Sequence, residues 1–137
     1  AVPVALAAAE NLRGLPEFEA MLASGALAFV QPDVGKWGGF SGCREVARRV
    51  AATAACYCPH WLGGPLGLLA SMHLRAAMGE GGWVEWDANP NPTHDPVRAQ
   101  LPAVHEGRIA LSAAPGLGVE LRIEDYARLV RWQGAAG

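Results

Sequence analysis

One stretch, FVQPDVGKWGG at residues 29–39, decides the fold. It contains the end of a short apolar run, residues 26–30, which is typical of a buried strand. The carboxylate of Asp33 follows, and a glycine-rich turn then leads into a helical pattern from about Ser41. A strand, a polar residue at its carboxyl end and a loop into a helix form one βα unit, and in parallel α/β folds such loops carry the chemistry.

The same unit recurs along the chain. Further strands are predicted from the apolar runs at residues 2–9, 55–58 and 83–86. Helical patterns separate them, and these begin near Pro16, near Ser41 and at Leu66. The second helix should bury one face, consisting of Cys43, Val46, Ala47, Val50, Ala51 and Ala54. The alternation βαβαβαβ predicts an α/β fold with a parallel sheet.

The pattern changes after Asp87. Proline-rich residues 89–96 are expected to form a loop, and residues 107–111 a short strand. Residues 124–132 have the spacing of a closing helix.

Composition limits the class of protein. The chain has 137 residues, 51% of them hydrophobic, and a formal net charge of −2, which suits one domain with a real core and not a nucleic-acid surface. Apolar runs all fall short of the roughly 18 residues of a membrane span, and no signal-peptide pattern opens the chain. Three cysteines without metal-ligand spacing favour reduced thiols and a cytoplasmic protein. A strand-like start without Met suggests the middle of a longer protein.

Four polar residues stand at or near the predicted strand ends, and these are Glu10, Asp33, His60 and Glu85. Their separations of 23, 27 and 25 residues are close to the roughly 25–31 residues per unit of a (β/α)₈ barrel. Parallel strands at that period bring all four side chains to one rim. About four units make half a barrel, whose open edges require a preceding segment or association between chains.

Such a set suits metal-assisted proton abstraction. Glu10 offers a hard oxygen ligand for Mg²⁺. His60 is a natural base near neutral pH, and Asp33 would orient its ring. Glu85, if protonated, could donate a hydrogen bond to a developing enolate oxygen.

Each of these residues also has an ordinary structural interpretation. Glu10 alone is typical of a solvated loop carboxylate, and Asp33 alone of a turn cap that accepts from backbone N–H groups. His60 alone is as typical of a buried, hydrogen-bonded histidine, and Glu85 of a salt-bridge partner. Their shared period is what favours a site.

The chain then resembles a known family through four motifs in order: ENL at 10–12, QPD with KWGG at 31–39, PH at 59–60 and EWD at 85–87. They are similar to the second half of the enolase superfamily, in its mandelate racemase and sugar-acid dehydratase branch. The segments EGRIAL at 106–111 and PGLGV at 115–119 are similar to that family's C-terminal part.

The resemblance implies the C-terminal half of a TIM-like barrel at residues 1–95. Residues 96–137 would return toward an α+β capping domain that lies outside this sequence. It also implies that Glu10 is the third Mg²⁺ ligand and that His60 is the general base with Asp33 as its partner. Glu85 would hydrogen-bond the enediolate form of the substrate carboxylate. Asp33 holds the position of the catalytic lysine of other branches, which favours the histidine branch.

The implied function is Mg²⁺-dependent abstraction of the proton α to a carboxylate, followed by dehydration of a sugar acid. The alternatives are a racemase or epimerase of a 2-hydroxy acid and a truncated, non-catalytic barrel fragment. The family's other metal ligands and its lysine motif would precede Ala1, so the chain alone is expected to bind Mg²⁺ weakly and turn over nothing. Its partners would be a small carboxylate substrate and either a second copy or the missing N-terminal part, with no nucleic acid or membrane.

Other aromatic and basic residues have weaker signals. The tryptophans at the predicted rim either wall a pocket or belong to the core, and they are Trp37, Trp61, Trp83 and Trp86. His73 is expected to be structural, and His94 and His105 have no predicted role. Gly38 and Gly39 are expected to serve the turn and the close approach of the helix. A phosphate-binding barrel half is disfavoured because the Gly-x-x-x-x-Gly-Lys-Ser/Thr pattern is absent.

Overall fold

Three βα units follow one another in the computed structural model, which describes residues 3–79, 82–124 and 127. The strands pair in parallel in the order β1-β2-β3, which confirms the α/β class with a parallel sheet. The elements are β1 (Ala7–Ala8), α1 (Leu15–Ser24), β2 (Phe29–Val30), α2 (Gly39–Ala51), β3 (Cys56–Tyr57) and α3 (Pro65–Ala76).

The strands are short, but β2 and β3 stay side by side beyond their ends. The backbone N–H of Cys58 donates to the carbonyl of Val30 at 3.0 Å, and that of His60 donates to the carbonyl of Pro32 at 3.2 Å. An isolated parallel bridge then joins Asp33 to His60. The backbone pairing therefore carries the two loops that follow the strands into direct contact.

One face of the sheet is covered by the three helices. Val30 of β2 and Tyr57 of β3 are buried in one core cluster with residues from α1, α2 and α3. On the opposite face of the sheet, the strand register aligns Ala7, Phe29 and Cys56. Ala7 is exposed, and the other two are half-buried. The helices thus supply the main core, and the other sheet face is only partly covered.

Helix α2 buries four of the six residues predicted for its inner face: Cys43, Val46, Ala47 and Val50. Ala51 and Ala54 are exposed, so that part of the prediction is wrong. The helix ends at Ala51, and helical periodicity no longer governs which side Ala54 faces. Arg49 lies off the buried face and pairs with Glu19 of α1 at 2.7 Å, which joins the two helices at the surface.

Helix α1 begins as its sequence predicts. Pro16 occupies the first turn, where its missing N–H removes no helical hydrogen bond. Gly25 ends the helix in the left-handed conformation and donates its N–H to the Leu22 carbonyl at 3.1 Å.

The predicted fourth strand at residues 83–86 does not form in the described part of the chain. A strand exists only as one member of a hydrogen-bonded ladder, and local sequence cannot supply the partner. Trp83 is 64% exposed there, so its apolar side chain does not mark a buried strand. As far as the end of α3, the elements of the described residues therefore follow one another as βαβαβα.

The following segment is more ordered than predicted. Residues 92–100 form a 3₁₀ helix (Pro92–Gln100), where a loop was expected, and the Asn91 side chain caps it by accepting from the Thr93 N–H at 3.0 Å. Next comes an antiparallel hairpin of β4 (Val104–His105) and β5 (Arg108–Ile109). The strand expected within residues 107–111 is confirmed as β5, whereas β4 was not predicted.

The predicted closing helix at residues 124–132 lies almost entirely outside the described residues. Within the described ranges, no helix combines the length and apolar character that crossing a membrane requires.

Candidate active site

The polar residues of the predicted rim follow the strands directly. Glu10 comes two residues after β1, Asp33 three after β2 and His60 three after β3. Because the strands are parallel, their carboxyl ends lie at the same edge of the sheet. Glu85 reaches the same place from a segment without regular secondary structure.

His60 and Asp33 form a close, buried pair. The Nδ1 atom of His60 is 2.8 Å from Oδ2 of Asp33, and the two residues are only 8% and 5% exposed. A carboxylate accepts hydrogen bonds, so Nδ1 carries the hydrogen and donates it. In the neutral ring this leaves the lone pair on Nε2, which is the form in which a histidine can take a proton.

Asp33 uses its two carboxylate oxygens for different purposes. Oδ1 accepts from the backbone N–H groups of Gly35 at 2.8 Å and Lys36 at 3.1 Å, whereas Oδ2 accepts from His60. Asp33 therefore caps the turn and contacts the imidazole at the same time. The turn holds the carboxylate in place, and the carboxylate in turn holds the imidazole.

Glu85 faces the free nitrogen of His60. Its Oε2 atom is 3.8 Å from Nε2, which is too long for a hydrogen bond. This oxygen is buried and has no hydrogen-bond partner among the described residues. A bound group that reaches both Nε2 and Oε2 could therefore give the buried oxygen the hydrogen bond it lacks.

Glu10 connects to the pair through two other side chains. Its Oε1 accepts from Nδ2 of Asn11 at 2.9 Å, and Oδ1 of Asn11 accepts from Nζ of Lys36 at 3.0 Å. Nζ of Lys36 is also 3.9 Å from Oδ2 of Asp33. Sequence reasoning missed this link because Asn11 and Lys36 are 25 residues apart and neither has a local pattern that predicts the contact.

The donor chemistry of Glu10 fits a divalent cation as a single ligand. Mg²⁺ is bound by one or two carboxylates, with water and substrate oxygens completing its shell. Residues 3–79, 82–124 and 127 contain no group of three or more acidic, histidine or cysteine side chains that could hold a metal ion. Glu10 would therefore need further ligands from outside these residues.

The tryptophans do not act as one cluster. The Trp37 ring lies against that of Phe18, with centroids 5.6 Å apart, and belongs to the core. Trp83 and Trp86 are exposed. Trp61 packs against a second cluster of buried apolar residues, which are Leu68, Leu69 and Met72 of α3. Trp61, which follows His60 directly in the chain, is thus packed and not exposed.

One histidine without a predicted role is structural. His94 is buried, and its Nε2 atom is 2.9 Å from the carbonyl oxygen of Gly63, in the loop that follows His60. Its proline-rich surroundings predict a loop, and the structure has a 3₁₀ helix there. The capping sequence Asn91-Pro92-Thr93 was the available signal that the segment is ordered.

Two thiols beside the site remain protonated over the neutral range. Burial raises the pKa of Cys43 to about 11, with the nearby charge of Asp33 as a smaller cause. Burial also raises the pKa of Cys58 to about 11, and the nearby Cys56 and Glu85 raise it further. All three cysteines are free.

The sequence matches relatives that are named as sugar-acid dehydratases. D-Galactonate dehydratase of Verminephrobacter eiseniae (strain EF01-2) is 31% identical over 122 residues, which cover 85% of this chain and 32% of that protein. Arabinonate dehydratase of Saccharolobus solfataricus is 26% identical over 113 residues, covering 80% and 30%. The chain thus spans about a third of the length of the curated relatives it matches.

Solved structures share its fold. A mandelate racemase/muconate lactonizing enzyme from Bordetella bronchiseptica RB50 has a TM-score of 0.78 and 48% identity over 89% of this chain and 34% of its own. Another, from a Sulfitobacter species, has a TM-score of 0.82 and 30% identity over 98% and 33%. The family model for the Enolase C-terminal domain-like family matches residues 1–126. The partial barrel expected from the resemblance is confirmed, and the chain belongs to the enolase superfamily, in its mandelate racemase and muconate lactonizing enzyme type.

Proposed function

We propose that His60 abstracts the proton α to the carboxylate of a sugar acid, in an enzyme that dehydrates this substrate. One observation carries the proposal: the 2.8 Å contact between Nδ1 of His60 and Oδ2 of Asp33, which leaves Nε2 free and facing Glu85. A histidine held by a carboxylate through one nitrogen presents the other nitrogen in a fixed direction, which suits a general base. The match to relatives named galactonate and arabinonate dehydratase supports the substrate class.

The residues divide the work in the following way. Nε2 of His60 accepts the α proton, and the resulting imidazolium is stabilised by the carboxylate of Asp33. Glu85 in its protonated form donates a hydrogen bond to a carboxylate oxygen of the enediolate, which satisfies its buried Oε2 atom. The proton on His60 then passes to the β-hydroxyl, the β carbon–oxygen bond breaks, and water leaves. The remaining enol rearranges to the 2-keto-3-deoxy acid.

Glu10 is proposed as a Mg²⁺ ligand, together with ligands from outside the described residues. The ion, when bound, supplies positive charge beside the substrate carboxylate. The contacts among Glu10, Asn11 and Lys36 position the Glu10 carboxylate relative to the loop that carries Asp33. Because the proposed role of the ion is to neutralise the substrate carboxylate, removal of Mg²⁺ is expected to abolish turnover.

The test is α-proton exchange and turnover by the full-length gene product with Mg²⁺ in D₂O, followed by proton NMR. D-Galactonate and D-arabinonate serve as substrates and mandelate as the racemase probe. His60→Asn and Asp33→Asn should each lower the exchange rate by about 10²-fold or more. His105→Gln is the matched control because His105 is exposed on β4, and it should leave the rate unchanged.

The products separate the candidate functions. A 2-keto-3-deoxy acid indicates dehydration, and an epimer labelled only at the α carbon indicates racemisation or epimerisation. If His60→Asn retains both exchange and turnover, the role given to His60 is wrong.

A non-catalytic protein is the further candidate, because the described residues supply one metal ligand and no complete metal-binding group. It would show neither exchange nor a Mg²⁺-dependent change in melting temperature.

A further inference from the structure

We infer that Trp61 is a positioning residue that holds His60 and Asp33 in contact. This inference rests on the proposed function of that pair. Trp61 follows His60 directly in the chain, so the two residues share one peptide bond. Its indole ring also contacts the loop that carries Asp33, as the following contacts show.

The first contact is with Gly35, which caps Asp33. A methyl group at Gly35 would lie 2.7 Å from Cζ3 of Trp61 and 3.3 Å from Oδ1 of Asp33. The backbone of Gly35 is thus packed against the indole on one side while its N–H donates to Oδ1 of Asp33 at 2.8 Å. The ring therefore packs against Gly35, whose N–H holds the Asp33 carboxylate.

The other side of the ring is held by the start of α3. Nε1 of Trp61 donates to the carbonyl oxygen of Gly64 at 2.7 Å. A methyl group at Gly67 would overlap Cζ2, Cε2 and Cη2 of the indole, so only glycine leaves room for the ring there. The indole is fixed in orientation by the hydrogen bond and in depth by the backbone of α3.

These contacts make Trp61 a wedge between the loop after β2 and the loop after β3. The bridge between Asp33 and His60 joins the same two loops through the backbone, but it does not constrain the side chains. With the wedge in place, the turn whose Gly35 N–H donates to Asp33 cannot move toward the indole without displacing a packed aromatic ring. Side chains that orient a catalytic group from outside the site are commonly worth about 10- to 100-fold in activity.

The experiment compares Trp61→Leu and Trp61→Phe with Trp83→Leu in the full-length gene product. Trp83 is exposed, so the same substitution there controls for loss of a tryptophan. Trp61→Leu should lower kcat by about 10- to 100-fold with little change in KM, since it alters the pair and not substrate binding. Trp61→Phe should recover part of that loss, because it keeps a flat ring against Gly35 and lacks only the hydrogen bond.

Hydrogen–deuterium exchange by mass spectrometry supplies a readout that does not depend on the reaction. Trp61→Leu should speed exchange at the amides of Gly35 and Lys36, which donate to Asp33, and Trp83→Leu should not. If Trp61→Leu fails to fold, Trp61→Phe decides by the same two measurements. Unchanged kcat and unchanged exchange at Gly35 and Lys36 overturn the inference. If His60→Asn also leaves turnover intact, the proposed function fails separately.

Discussion

At the scale of single residues, the candidate site depends on side chains that each make more than one contact. Asp33 anchors the turn with one oxygen and the histidine with the other, so a change at Asp33 removes both interactions at once. Asn11 and Lys36 connect Glu10 to the same turn. Each of the three strands is therefore followed by one chemical group, which backbone N–H groups hold at Asp33 and side chains contact at Glu10 and His60.

Ala9, immediately before Glu10, has an unusual backbone conformation. Its φ angle is 101°, in a region that residues with a Cβ atom rarely adopt, and the residue is buried. Such strain typically costs about 1–3 kcal/mol. Glycine at this position relieves the strain, whereas a β-branched residue increases it.

We therefore predict a reversal between two adjacent alanines. Ala9→Gly should leave the free energy of unfolding within about 1 kcal/mol of the parent, and Ala9→Val should lower it by about 2 kcal/mol or more. Ala8, in β1, should behave in the opposite way, because glycine weakens a strand by about 0.5–1 kcal/mol and valine suits it. Urea unfolding of the four variants measures this. Equal responses at the two positions would show that Ala9 is not strained.

At the scale of elements, the entry into α2 depends on Gly38 more than on Gly39. Both have positive φ angles, 71° and 53°. A methyl group at Gly38 would lie 2.7 Å from the Cα atom of Gly42, whereas one at Gly39 meets nothing within 4 Å. The predicted turn role holds for both glycines, but the close approach of the helix applies only to Gly38.

The two alanine variants should separate strain from overlap. Gly39→Ala is expected to lower the free energy of unfolding by about 1–2 kcal/mol, the cost of a left-handed non-glycine residue. Gly38→Ala adds an overlap between backbone atoms and should lower it by a further 1–3 kcal/mol or so. Thermal and urea melts of both variants give the comparison. A cost at Gly39 that equals or exceeds the cost at Gly38 would contradict this account.

Elements with a strong local signal were predictable from the sequence. The three strands, the three helices and the proline in the first turn of α1 all follow from apolar runs, helical spacing and capping residues. The fourth strand and β4 were mispredicted or missed because a strand depends on its partner. At the site, the regular spacing of the strand ends was enough to predict that Asp33 and His60 lie side by side. The Asn11–Lys36 and His94–Gly63 contacts were not predictable, since each joins residues 25 or more apart without a local pattern.

At the scale of the whole molecule, ionisable groups lie inside the core beside the sheet. Cys43 is fully buried and Cys58 nearly so, and Tyr57 is buried between the same elements. Burial raises the pKa of both thiols to about 11 and that of Tyr57 as well, since it disfavours the charged forms. The folded protein therefore keeps protons that the unfolded chain releases from about pH 9 upward.

This difference predicts that the protein loses stability in alkali. The contribution of the thiols is fully present below pH 9 and disappears as the pH rises toward 11, with each thiol worth up to about 2–3 kcal/mol. The variant Cys43→Ala/Cys58→Ala should start less stable at pH 7 but fall less steeply between pH 9 and 11. Val46→Ala removes buried volume from α2 without removing a thiol, so its curve should keep the parent's slope. Urea unfolding across this range measures all three proteins, and a parent and double variant with identical slopes would show that the buried thiols are not responsible.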